Sequence, residues 1–385
     1  MYCSRPGSQV KPHAKRGIES PKTWGFWGFL KLYKLISKVN IGSEIEEKTN
    51  RCSFCRLKML LWKYFWYYIM GNRDRNLSEF LFFDMERDMA LKFDVRDEKK
   101  IRVIVDTDAA CEADDPFAIA HALMSPKLMV KGITAVHFVE KGSVEKSLEE
   151  IKVILKAMNK DVPAYLGEAG PMADEQKELS EAVQFIIDEA KREDSHPLYV
   201  LCQGAITNVA VAMQACPDIK DKITVIWIGT HGAGNVDAPF VEFNAGNDIA
   251  AANYVLGSGV KLWLIPSTVY TTITIGIAEV QRKIAPCGAI GEHLFTNMVS
   301  YNSTDKASWT QGESWSLGDS PAIAVAVNPG CGHFEEVPAP YIHKDTSSSY
   351  KEGMPVIRVY KDIDSRYILE DFLCKLQLEY GRQTD

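Results

Sequence analysis

The segment IRVIVD at residues 101–106 limits the possible folds more than any other, because a run dominated by β-branched residues that stops on acidic ones reads as a buried parallel strand with a functional carboxyl end. Behind it, Asp114-Asp115-Pro116 precedes FAIAHALM, where acidic residues, an early proline and spaced apolar side chains mark a helix N-terminus. Further strands are expected at 128–136, 162–167, 197–202, 222–229 and 260–266, with helices at 143–158, about 178–193, 205–215 and 248–256. The alternation predicts an α/β fold: an open, mostly parallel, doubly wound (Rossmann-like) sheet with helices on both faces and ligands outside the carboxyl ends of the strands. Beyond it the chain reads as mostly helical, at about 277–302, 318–327 and 364–381, with a short strand near 355–360.

Residues 100–381 therefore form the expected catalytic domain, and what precedes them differs in kind. Of 44 basic and 51 acidic side chains, residues 1–84 hold 15 and 7, leaving 29 and 44 for the rest. This stretch has no sustained helix or strand period, and Met85 and Met89 stand just ahead of the first regular strand. It reads as an extension, disordered or an artefact of the gene model, that takes no part in catalysis; the alternative is an amphipathic anchor or targeting arm. Its apolar run at 58–71 is broken by Lys63 and falls short of the ~20 residues needed to span a bilayer. A net charge of −7 argues against nucleic acid and anionic membranes as partners. The nine cysteines lack regular spacing, and Cys52-x-x-Cys55 has no second pair to complete a zinc site, so reduced thiols in a cytoplasmic protein are expected.

Asp106, Asp108, Asp114 and Asp115 place four aspartates within ten residues at one strand end, where they cannot all stay ionised without a cation. Oxygen ligands without His or Cys suit calcium or magnesium, and tolerance of irregular geometry favours Ca2+. Such an ion acidifies and orients a water, and a neighbouring aspartate takes the proton. The rival reading of Asp114 and Asp115 is plain helix capping.

With these residues in view, VDTD…DD resembles the signature DTDxGxDD of the nucleoside hydrolase family, calcium-dependent ribonucleoside hydrolases that include the inosine/uridine-preferring enzymes. In the same order, GAITN at 204–208 is similar to the family's GPLTN, EFNAGNDIAAA at 242–252 to its EFNxxxDPEAA, and WSLGDSPAIA at 315–324 to its late HDP segment. The resemblance implies hydrolysis of a ribonucleoside N-glycosidic bond to base and ribose, and a homodimer or homotetramer. By position it implies Asp108 as general base and calcium ligand, Asp115 and Asp319 as further ligands, and Gln203 as a ligand through its main-chain carbonyl. Asp114, Glu242 and Asn244 would grip ribose hydroxyls and Asn235 the 5′ side. A site built on those hydroxyls should reject deoxyribosides.

The chain also departs from the pattern. Five residues, AACEA, separate Asp108 from Asp114 where the motif has three, which adds Glu112 as an acidic candidate. Asn235 and Glu242 are one residue further apart than expected, and Gly318 stands where many members have a His that protonates the departing base. His231 and Trp315 are the substitutes considered for that contact, against a loop histidine bonding backbone and a partly buried core tryptophan. Two rival functions stay open. Asp106-x-Asp108 also fits the nucleophile and acid of a haloacid-dehalogenase-like phosphatase, and the absent His fits a non-catalytic riboside-binding protein.

Overall fold

The computed structural model describes residues 93–172 and 178–381, so the readings made on residues 1–84, including Cys52, Cys55 and the run at 58–71, lie outside the described residues. Strand β1 (Ile101–Thr107) is buried along its whole length, as a strand with apolar neighbours on both faces must be. It is followed in the chain by β2 (Leu128–Ala135), β3 (Ala164–Tyr165), β4 (Leu198–Cys202), β5 (Ile223–Ile228) and β6 (Lys261–Ile265). These pair in parallel in the order β3-β2-β1-β4-β5-β6, so the winding direction reverses between β1 and β4. At such a switch point the connections diverge and leave a crevice beyond the strand ends.

Helices α1 (Asp115–Leu123), α2 (Ser143–Met158), α3 (Glu181–Lys191) and α4 (Thr207–Ala215) connect the early strands. α5 (Phe243–Asn247) and α6 (Ile249–Gly257) lie between β5 and β6, and α7 (Ser267–Tyr270) is a single turn after β6. Later come the hairpin strands β7 (Thr274–Gly276) and β8 (Ser314–Ser316), with α8 (Gly288–Asn302) between them, and α9 (Ser320–Val327) after them. α10 (Ser365–Tyr380) closes the described chain. One apolar cluster joins α1, α2, α8, α9 and α10 to one face of the sheet, and a second joins α3, α4 and α6 to the other, giving the doubly wound α/β sandwich expected.

The last third is less helical than its sequence suggests. The segment 277–302 is interrupted by a π turn at Val280–Ile284 before α8 begins. Strand β9 (Gly332–Pro338) forms the outer edge of the sheet, antiparallel to β12 (Val356–Ile363), which itself pairs in parallel with β6. Exposed Phe334, Glu335 and Glu336 on β9 blur the alternation of a half-buried strand. A two-residue pair, β10 (Tyr341–Ile342) with β11 (Ser348–Ser349), lies between β9 and β12. Among the described residues no helix is long and apolar enough to cross a membrane.

Candidate active site

The loops that leave β1, β4, β5 and β6 converge with the turn before α9 on one cavity of about 440 Å³. Asp108, Asp114, Asp115, Gln203, Glu242, Asn244 and Asp319 all line it, together with Cys111 and Glu112 of the long loop. Carboxylate oxygens of Asp114, Asp115 and Asp319 lie within 4.8 Å of one another. Asp319 comes from the far end of the chain, brought in because α9 packs against α1 through the shared apolar cluster. Asp114 and Asp319 are the N-caps of α1 and α9, yet neither side chain caps its own helix. The backbone N–H groups at both helix starts, those of Asp114 and Asp115 as well as those of Gly318 and Asp319, favour the charged form of Asp114. The capping alternative offered for Asp114 and Asp115 finds no side-chain cap hydrogen bond at Asp114.

Asp108 approaches β4's exit closely. A Cβ on Gly204 would stand 2.7 Å from Asp108 Oδ1, so glycine is needed for the carboxylate to lie there. Asp108 Oδ2 is buried and has no hydrogen-bond partner in the protein, an arrangement that is costly unless something else satisfies it. Thr107 Oγ1–H donates to Asp115 Oδ1, and the Asp115 carboxylate crowds that of Asp319 in the same cluster.

The electrostatics follow from burial and crowding. Burial, then the charge of Asp114, pushes Asp115 from 3.8 to about 8. Asp114 rises to about 6, chiefly by burial. Burial, then Asp115, raises Asp108 well above the usual carboxylate range, and burial with Asp114 and Asp115 does the same to Asp319. Glu112 rises to about 8 through burial, then Asp114 and Asp115. A cluster that holds protons so tightly is short of positive charge, and all-oxygen donors around an unpartnered buried carboxylate oxygen fit a hard divalent cation.

Asp106 stands behind the cavity rather than on it. It is fully buried, its Oδ1 accepts from Thr134 Oγ1 at 2.6 Å and from Asn208 Nδ2 at 2.8 Å, and it does not line the cavity. A nucleophile must reach its substrate, so the phosphatase reading fails on Asp106. Asn244 Nδ2 donates to the carbonyl of Ile228 at 2.9 Å and more loosely to that of Gln203 at 3.3 Å, which holds the β4 and β5 exits side by side.

Three expected contacts are not brought together with these residues. Asn235 is exposed, and its Oδ1 accepts the backbone N–H of Tyr350 instead of facing the cavity. His231 is buried with both ring nitrogens engaged, Nδ1 with Ser267 Oγ at 2.7 Å and Nε2 with the Phe240 carbonyl at 2.9 Å, so it fastens a loop. Trp315 is core, 1% exposed and paired with Ile275 across the β7–β8 hairpin. Trp309 packs edge-on against it at 5.0 Å and takes the cavity position, with Phe240 and Phe243 also on the wall. The sequence pointed to Trp315 for this contact and gave no sign of Tyr270, Phe240 or Phe243, except that Tyr270 closely follows a strand's carboxyl end.

The family model for inosine-uridine preferring nucleoside hydrolase matches residues 103–370. A pyrimidine-specific ribonucleoside hydrolase of Salmonella paratyphi A is 27% identical over 287 residues, covering 67% of this chain and 88% of that protein. Its counterpart in Shigella boydii is 27% identical over 282 residues, covering 66% and 88%. Among solved structures, a plant nucleoside hydrolase superposes with a TM-score of 0.60 at 18% identity, covering 72% of this chain and 98% of the other. A purine-preferring ribonucleoside hydrolase from Gardnerella vaginalis gives 0.60 at 21% identity, with 72% and 99% covered. At these identities the solved structures establish the shared fold.

Proposed function

The chain belongs to the inosine-uridine preferring nucleoside hydrolase family and hydrolyses the N-glycosidic bond of ribonucleosides, and we propose that it does so with Asp108 as general base in a site loaded with Ca2+. The observation that carries this reading is the convergence of Asp108, Asp114, Asp115 and Asp319 on one cavity from loops distant in the chain. Asp108, Asp115, Asp319 and the Gln203 carbonyl would hold the ion. When bound, the cation supplies the charge that lets these carboxylates ionise and acidifies a water molecule.

The protein groups do the rest. Asp108, ionised, accepts a proton from the attacking water as its oxygen bonds to the anomeric carbon. Asp114 and Asn244 hold ribose hydroxyls directly, and Glu242 serves the sugar from behind them, fixing it beneath that water. The ring of carboxylates stabilises the positive charge that grows on the sugar as the carbon–nitrogen bond breaks. Phe240, Phe243 and Trp309, apolar and partly exposed on the cavity wall, face the departing base. Asn235 contacts the 5′ side in this reading only if its loop turns inward. A cytoplasmic homo-oligomer is part of the same proposal, resting on cysteine usage and on the family resemblance.

The test is release of reducing sugar from inosine, uridine and 4-nitrophenyl riboside, with calcium and with chelator. Relatives named for pyrimidines and for purines make both kinds of substrate necessary. Calcium-dependent release supports the proposal. Ligand binding with no release even from the nitrophenyl riboside would overturn it in favour of a binding protein.

A further inference from the structure

Glu242 has little left to offer a sugar. It is fully buried, and its Oε2 accepts the backbone N–H of Thr230 at 2.8 Å and of Ala245 at 2.9 Å. Its Oε1 accepts the N–H of Asn244 at 3.4 Å and the hydroxyl of Tyr270 at 2.9 Å. A carboxylate has about four acceptor positions, so these four donors fill it. The last of them, Tyr270, also lines the cavity. Its hydroxyl spends its one proton on Glu242 and keeps lone pairs free to accept from another O–H.

The ring of Tyr270 lies where it does because residue 318 has no side chain. A Cβ on Gly318 would meet Tyr270 Cδ2 and Asp114 Oδ2, each at 3.2 Å, closer than ordinary contact. The aromatic ring thus occupies space that a larger residue before Asp319 would claim, between the acidic cluster and Glu242. Burial, then the neighbouring Glu242 charge, keeps the phenol protonated, so its role as donor onto Glu242 is stable across the working pH range.

We propose that Tyr270 is a sugar-recognition residue of this site, its hydroxyl fixed by Glu242 and accepting a hydrogen bond from one ribose hydroxyl. The proposal rests on reading this end of the cavity as the ribose pocket, with Glu242 acting on the sugar through Tyr270. Gly318 is then the specificity partner of Tyr270, since it admits the ring.

The experiment compares kcat/KM for a ribonucleoside the calcium-loaded protein cleaves and for its 2′-, 3′- and 5′-deoxy forms, in the natural chain and in Tyr270→Phe. Loss of one hydrogen bond in a dry site should lower kcat/KM on the parent roughly 10- to 100-fold, mostly through KM. One deoxy form, lacking the hydroxyl that Tyr270 reads, should be spared, so its discrimination ratio collapses by the same factor. A uniform fall on all four substrates, which a merely structural role would give, or no fall, overturns the proposal. Gly318→Ala, whose Cβ would meet the Tyr270 ring and Asp114 Oδ2 each at 3.2 Å, should lower kcat/KM on all four substrates and in addition weaken the same ratio, and serves if Tyr270→Phe does not fold. Glu242→Gln separates the two levels. If it leaves parent kcat/KM unchanged, the assignment of Glu242 itself is wrong; if it lowers kcat/KM while the Tyr270→Phe ratios stay fixed, only the role of Tyr270 is wrong.

Discussion

Removing the cation should destabilise the protein in a manner that depends on pH, and the acidic cluster sets both the sign and the size. In the unfolded chain aspartates titrate near 4, whereas in the folded, cation-free chain Asp114 titrates at about 6 and Asp115 and Glu112 at about 8. Folded-state proton affinity that exceeds the unfolded value stabilises at low pH and is lost as pH rises through the folded values. Cation-free protein should therefore lose stability between about pH 4 and 8. The move of Asp115 from 3.8 to about 8 alone corresponds to roughly 6 kcal/mol, at about 1.4 kcal/mol per tenfold in proton affinity. The neighbours share protons with it, so their contributions do not simply add.

For a domain of this size each kcal/mol moves Tm by roughly 2 °C, which makes the expected loss on the order of 10 °C. Melting followed by calorimetry in calcium and in chelator, from pH 5 to 8.5, isolates the effect, because the difference between the two curves cancels every group unaffected by the ion. That difference should be small at pH 5, where protons occupy the cluster, and should widen towards pH 8. A difference that is constant with pH, or that narrows as pH rises, refutes the argument that these carboxylates hold the ion.

Asp108→Ala should lower kcat by at least ~100-fold, the usual contribution of a general base, while far-UV circular dichroism stays unchanged. Gly204→Ala should cost on the order of 100-fold in turnover, since the new methyl would meet Asp108 Oδ1 at 2.7 Å and Val136 Cγ1 at 2.8 Å and must displace the carboxylate. Trp309→Ala and Trp315→Ala should separate cleanly. The first should raise KM with little change in Tm, whereas the second should cost about 3–5 kcal/mol of stability in urea unfolding by emptying a buried site.

How much of this protein could be read from the chain depends on the range of the interactions involved. β1 to β6 and most helices are set by local periodicity and terminal residues, so their existence and order were legible, with ends displaced by a few residues. The acidic cluster at β1's exit was legible for the same reason: its charges are neighbours along the chain, and their repulsion needs no tertiary information. β9 was not, because an edge strand with exposed Phe334, Glu335 and Glu336 owes its form to pairing with β12 across a connection of 17 residues that the structure traverses through β10 and β11.

The sequence alone determined that a parallel sheet would end in a crowd of aspartates, and the order of motifs along the chain was enough to point to the family. Only the tertiary structure decided which polar groups have spare hydrogen-bonding capacity. His231 looked available until Ser267 and the Phe240 carbonyl took both its nitrogens, and Thr134 and Asn208 hold Asp106 behind the cavity. Trp315 was claimed by the core and Trp309 by the cavity wall. Tyr270 gained its place because Gly318 leaves room beside Asp114. Residue type states what a side chain is able to bond, but buried partners, contributed by segments distant in sequence, determine what remains for a substrate.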